Sequence, residues 1–171
     1  TETYAPEING VALVVQRLVE GLRRRGHGVV VVRPQRADAP ADPDTLAVPG
    51  LPLPFYRDLR FGLPARRLIE RLSHPGRPDV IYVATEGLLG RSAVNQARRA
   101  GIPVVTGFHT NFHAYSSHYG VGFLARRVYA YLRNLHNRTD RTLVPTAELR
   151  SALVRDGFHN VEVIGRGVDS R

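Results

Sequence analysis

The stretch His109-Thr110-Asn111-Phe112-His113-Ala114-Tyr115 gathers imidazole, hydroxyl, amide and phenol groups into one short run, with His118 and Tyr119 close behind. Imidazole titrates near neutrality and the other groups give or take hydrogen bonds, so the run suits recognition of a polar ligand or the handling of a proton. It follows directly on Val104-Val105-Thr106-Gly107-Phe108, an apolar, β-branched run introduced by Pro103. That pattern is a buried parallel strand. In open parallel α/β sheets, ligands bind beyond the carboxyl ends of the strands, which is where His109 would stand. The competing reading is a loop histidine satisfied by its own turn. Zinc is a third, because His109 and His113 have helical ligand spacing. His109 ends a strand, however, and no glutamate follows it as a zincin pattern demands, so no metal is expected.

The remainder of the chain reads as the scaffold for that edge. Asn9-Gly10 is a turn and cap signal, and Val11, Val14, Val15, Leu18 and Leu22 recur at helical spacing until Gly26 and Gly28 stop them. Residues 29–33 read as a strand. Residues 34–54, rich in Pro, Asp and Ala, read as loop with one extended piece at 45–48. A second helix is predicted over 62–72, with Pro64 in its first turn. Pro78-Asp79 introduces a strand over 80–84 that ends on Thr85-Glu86-Gly87, and a helix over 89–100 stops at Gly101. Beyond the polar loop, Val121, Leu124, Val128, Tyr131, Leu132 and Leu135 mark a long helix flanked by Arg126, Arg127, Arg133 and Arg138. A short strand at 142–144, a helix capped by Thr146 and running to 155, and a last strand at 161–164 complete the pattern. The β-α alternation predicts an α/β fold: a Rossmann-like, doubly wound parallel sheet in three α/β/α layers. Such a domain starts with a strand, whereas this chain opens on a loop, so the first strand is expected outside it.

Composition narrows the chemistry. A chain of 171 residues is one ordinary domain or half of a two-domain protein. Cysteine is absent, which excludes disulfides, thiolate metal sites and Cys nucleophiles. The net charge is +9, and all 24 basic residues are arginine, whose planar fork suits phosphate and carboxylate. An anionic partner follows: a phospholipid surface, a phosphorylated substrate or nucleic acid. A GC-rich coding bias accounts for the missing lysine but not for 24 basic residues against 15 acidic ones. No apolar run approaches the roughly 18 residues of a membrane span. The opening residues carry no signal-peptide pattern, and a cytoplasmic location is expected. The basic helix near 122–138 fits either an interfacial helix on an anionic membrane or a core helix with a solvated basic face. The P-loop, the G-x-G-x-x-G fingerprint and the G-x-S-x-G elbow are all missing. No groove-reading motif is present, so nucleic acid is not expected.

Four segments in order carry a resemblance: Thr1-Glu2-Thr3-Tyr4-Ala5-Pro6-Glu7-Ile8-Asn9-Gly10-Val11, Pro78-Asp79-Val80-Ile81, Phe108-His109-Thr110-Asn111-Phe112, and Asn160-Val161-Glu162-Val163-Ile164-Gly165-Arg166-Gly167-Val168-Asp169. Together they resemble family-4 retaining glycosyltransferases of the glycosyltransferase B architecture, and within the family the bacterial mannosyltransferase-like and glycolipid-forming members. The resemblance covers nearly the whole chain. It implies two Rossmann-like domains across a cleft, with residues 1–171 as the N-terminal, acceptor-side domain and the C-terminal donor domain absent from this chain. The donor half's two glutamates eight positions apart find no match among Glu2, Glu7, Glu20, Glu70, Glu86, Glu148 and Glu162. Arg166 stands where the family often has Asn at the crossing.

The resemblance further implies retaining transfer of a sugar from a nucleotide diphosphate donor to an acceptor hydroxyl, free or lipid-linked, with no cofactor and no metal. His109 would be the catalytic-site imidazole beside the transferred sugar, with Thr110 and Asn111 in the same wall. Gly10 would let the backbone approach the donor diphosphate at a helix N-terminus. Tyr4, Glu7 and Asn9 would line the first loop toward the acceptor. Glu86 would accept from an acceptor hydroxyl or serve as a helix N-terminal carboxylate. Arg66, Arg67, Arg126 and Arg127 would meet an anionic acceptor or membrane, or form a solvated face. A nucleotide-sugar donor, a sugar or lipid acceptor and an anionic membrane surface are the expected partners. The rival class is a non-enzymatic Rossmann-like module that binds anionic lipid or nucleic acid.

Overall fold

Asn9 starts the first helix because its extended backbone leaves the side-chain Oδ1 free to accept the Ala12 amide at 2.9 Å. Helix α1 (Gly10–Arg24) ends with Arg23 and Arg24 against its negative pole, and Gly26, at φ +82°, turns the chain away. The computed structural model describes residues 1–36, 38–39, 42–53, 56–64, 76–109 and 122–165. Strands β1 (Val31–Pro34) and β2 (Thr45–Val48) pair in parallel, and β3 (Gly50–Leu53) and β4 (Tyr56–Gly62) form an antiparallel hairpin. Strands β5 (Ile81–Val83), β6 (Val104–Gly107), β7 (Arg141–Val144) and β8 (Val161–Val163) make a four-stranded, all-parallel sheet in that order.

The opening residues tie the two parallel ribbons together. The Thr1 ammonium donates to the Val32 carbonyl at 3.0 Å, and the Glu2 amide donates to Thr85 Oγ1 at 2.8 Å. Residues 1–3 therefore run between β1 and the segment that leaves β5. The lateral order becomes β2, β1, the opening residues, β5, β6, β7, β8. This is the doubly wound order with residues 1–3 in the place of a first strand, and the sense of progression reverses between them and β5.

Side chains on β5 alternate between two helical layers. Ile81 and Val83 pack with Val94 and Ala97 of α2 (Leu88–Ala100) and Leu135 of α3 (Gly122–His136). Tyr82 and Ala84 pack instead with Val15 and Val19 of α1. A third cluster, Phe108, Leu132, Val144, Leu153, Phe158 and Val161, joins α3 and α4 (Ala147–Arg155) to β7 and β8. The α/β/α layering is thus as the β-α alternation predicts. Thr146 caps α4 by accepting the Leu149 amide at 3.2 Å, and Gly101 ends α2 at φ +63°.

Two local expectations are corrected. The region over 34–54 is not one loop around a single extended piece, because β3 begins at Gly50 and pairs with β4. Pro49 and Pro52 hide this hairpin: proline reads as loop, yet an edge strand tolerates it. The helix predicted from 62 does not begin there, since Gly62 closes β4 opposite Gly50; the rest of that helix, with Arg66 and Arg67, lies outside the described residues. Among the described residues no helix is long and apolar enough to cross a membrane. The basic helix is α3, and its stripe faces inward through Tyr131, Leu132 and Leu135, while Arg126, Arg127 and Val128 face solvent.

Candidate functional site

The reversal of strand order marks the carboxyl edge where parallel α/β sheets bind ligands, and two helices, α1 and α2, begin beside it. The N-terminus of α2 is already filled from within. The buried carboxylate of Glu2 accepts the Gly87 amide at 3.1 Å through Oε2 and the Leu89 amide at 3.2 Å through Oε1. Burial raises the Glu2 carboxyl above its usual range, against the lowering effect of the Leu89, Thr85 and Gly87 hydrogen bonds. Gly87 cannot be any larger residue without overlapping that carboxylate.

The N-terminus of α1 is built differently. Asn9 takes the Ala12 amide with its side chain and the Leu13 amide with its carbonyl. Among the described residues, no acceptor takes the amides of Gly10 or Val11. Nothing stands within 4 Å of where a Cβ on Gly10 would be. Open amides at the positive pole of a helix, with room for close approach, are what an anionic group requires.

The first loop is braced rather than loose. Asn9 Nδ2 donates to Thr3 Oγ1 at 2.6 Å, Thr3 Oγ1 donates to Glu7, and Glu7 Oε1 pairs with Arg36 at 3.3 Å. Arg36 also pairs with Asp38 at 2.9 Å. Glu7 and Asn9 therefore hold the loop that presents Gly10. Replacing Asn9 with alanine is expected to cost about 1 kcal/mol of stability by removing the cap. Asn9→Asp keeps the cap acceptor but loses the donor to Thr3 and sets a second carboxylate beside Glu7, so it should not recover the wild-type stability; chemical denaturation of both variants checks this. The partly buried Tyr4 packs against the α1 core cluster, where burial pushes the phenol above the usual tyrosine range.

His109 stands one residue past buried Phe108, and its Nε2 lies 3.0 Å from Tyr82 Oη. The ring is partly exposed. Tyr82 reaches it from the neighbouring strand, where it pairs in register with Val105, and the two groups meet over Gly107. A Cβ on Gly107 would overlap both Tyr82 Oη and His109 Nε2. The imidazole is thus set between the α1 core and the carboxyl edge. Thr110 and Asn111 lie outside the described residues, as do His113 and His118.

Glu86 leaves β5 at the same edge. Its backbone carbonyl accepts from Tyr131 Oη at 2.6 Å, and its Oε1 lies 3.4 Å from Nε2 of the buried His136. Helical spacing alone does not single out His136, because its partners Glu86 and Thr106 are remote in sequence. Arg33, another residue that strand patterning does not single out, is buried at the end of β1. Its Nε and Nη1 have no hydrogen-bond partner among the described residues. An unpaired buried guanidinium is costly, so an anion nearby would be stabilised by it.

A parallel α/β sheet wound on both faces, with an open helix N-terminus and an imidazole at the end of a strand, is a Rossmann-like domain. The family model for Glycosyltransferase Family 4 matches residues 8–171, and the chain belongs to that family. It is 37% identical over 98% of its length to a GDP-mannose-dependent alpha-mannosyltransferase of Mycolicibacterium smegmatis, covering 46% of that protein. It is 34% identical over 98% of its length to the protein of the same name from Mycobacterium tuberculosis, again covering 46%. A sulfoquinovosyl transferase of Arabidopsis thaliana is 26% identical over 95% of the chain and is covered over 33% of its own length. The chain therefore spans about half, or less, of the curated relatives it matches.

Proposed function

We propose that residues 1–171 form the acceptor-side, N-terminal half of a retaining glycosyltransferase that moves a sugar from a nucleotide diphosphate donor to a sugar or lipid-linked hydroxyl. What supports this reading is the open N-terminus of α1 together with a partly exposed imidazole, His109, at the carboxyl end of β6. As the glycosidic bond breaks, the leaving diphosphate gains charge, and fixed amides at Gly10 and Val11 stabilise that charge without reorganising. His109, set by Tyr82, supplies one hydrogen bond to the transferred sugar or the attacking hydroxyl. Glu86 accepts from an acceptor hydroxyl. Glu7 and Asn9 act by holding the loop. Thr110 and Asn111, next in sequence after His109, are assigned to acceptor binding with it. A second domain supplies most of the donor site. Family membership disfavours a purely non-enzymatic binding module.

The enzyme works in the cytoplasm against an anionic membrane, with the exposed Arg126 and Arg127 of α3 facing the headgroups. The test is a chimera in which this chain replaces the matching part of the Mycolicibacterium smegmatis relative. It is assayed with GDP-mannose and with acceptors offered free or in anionic vesicles. Transfer by the chimera and none by the 171-residue chain alone is the expected result. Turnover by the chain alone, or a folded chimera that binds donor and transfers to no acceptor, overturns the proposal.

A further inference from the structure

His136 lies in the last turn of α3 and is 0% exposed. Its ring packs against Phe108, with centroids 5.2 Å apart, and against Phe158 at 6.0 Å. Both nitrogens are nonetheless faced by polar atoms. Nδ1 is 2.8 Å from Thr106 Oγ1 and 3.4 Å from Thr142 Oγ1. Nε2 makes no hydrogen bond among the described residues; the carboxylate oxygen facing it is Glu86 Oε1, 3.4 Å away.

The two sides of the ring are chemically unequal. A hydroxyl can donate to Nδ1, whereas a carboxylate only accepts. With Thr106 donating to Nδ1 rather than to the Arg141 carbonyl, 3.3 Å from it, the ring proton lies on Nε2, on the side of Glu86. Thr139, in the same cluster, donates to the His136 carbonyl at 2.7 Å. Glu86 is then clasped twice by one helix: Tyr131 holds its backbone carbonyl and His136 faces its carboxylate. Tyr131 and His136 both lie on the inward side of α3, His136 wholly buried and Tyr131 partly so.

We propose that His136 is a positioning residue, orienting the Glu86 carboxylate toward the acceptor hydroxyl through its Nε2 proton. The inference rests on the reading of Glu86 as an acceptor contact. Glutamine carries a donor where His136 has Nε2, and leucine fills the apolar pocket without one. In the transferring chimera, His136→Leu is expected to raise the acceptor KM about tenfold, through loss of the polar nitrogen that faces the Glu86 carboxylate. Donor KM stays within twofold, and His136→Gln restores most of the acceptor KM. In parallel, nitrogen NMR of the 171-residue chain should show His136 protonated on Nε2, with that resonance displaced by Glu86→Gln. A resonance that Glu86→Gln leaves unmoved overturns the pairing. Equal acceptor KM values for the folded leucine and glutamine variants overturn the positioning role. If Glu86→Gln itself leaves acceptor KM unchanged while the resonance moves, the acceptor reading of Glu86 fails and the pair is structural only.

Discussion

Replacing Gly90 with alanine should lower stability by about 3 kcal/mol, at the upper end of overpacking costs. For a chain of this size that corresponds to a fall of roughly 6–12 °C in the unfolding midpoint. Gly90 is the third residue of α2, and it is buried where the helix crosses the end of β5. A Cβ there would overlap the Thr85 carbonyl oxygen and sit 2.9 Å from Val83 Cγ1. The Thr85 backbone has little freedom to withdraw, because its side chain is bound by the Glu2 amide and Glu2 grips the amides of Gly87 and Leu89. Gly21→Ala is the control: it lies within α1, with nothing nearer than Arg25 Nη1 at 3.8 Å. There alanine should stabilise by about 0.5–1 kcal/mol. Thermal unfolding of the two variants distinguishes a steric cause from a general response to losing glycine.

The second large effect is on turnover. In the transferring chimera, His109→Ala is expected to lower kcat by about 100-fold or more while changing donor KM much less. Gly107→Ala should approach the same loss by a different route. Its Cβ overlaps the far ends of Tyr82 and His109, which are flexible enough to swing aside. Its stability cost is therefore nearer about 1 kcal/mol, the low end of overpacking. A Gly107→Ala enzyme with full turnover would mean that the imidazole acts from some other position, or not at all.

The sheet and three of its helices are legible because their causes are local. Val29 to Val32 and Val104-Val105 are β-branched runs, Asn9 and Thr146 are caps, and Gly101 and Gly157 adopt the left-handed backbone that stops helices. The β3–β4 hairpin was hidden because its prolines argue locally for loop, whereas pairing with a partner strand decides the outcome. The packing of Tyr4 against the α1 cluster was hidden for a related reason: a polar-tipped aromatic in a loop carries no local sign of the core it touches. His136, Arg33 and the Tyr82 hydroxyl carry no local pattern that marks them. His136 gains its meaning from Glu86 and Tyr82 from His109, residues brought close only by the parallel sheet. The strand-end position of His109 was legible, since a β-branched run ending on polar groups marks the sheet edge. What the ring touches was not.

Glu2 has a wider consequence. By lodging its own carboxylate against α2, the polypeptide supplies that helix end with an internal counter-charge, while α1 is capped by a neutral amide. An anion drawn to a helix pole on this molecule is thus turned from α2 and toward α1 by one acidic side chain. Neutralising that residue, as in Glu2→Gln, would narrow the difference between the two poles.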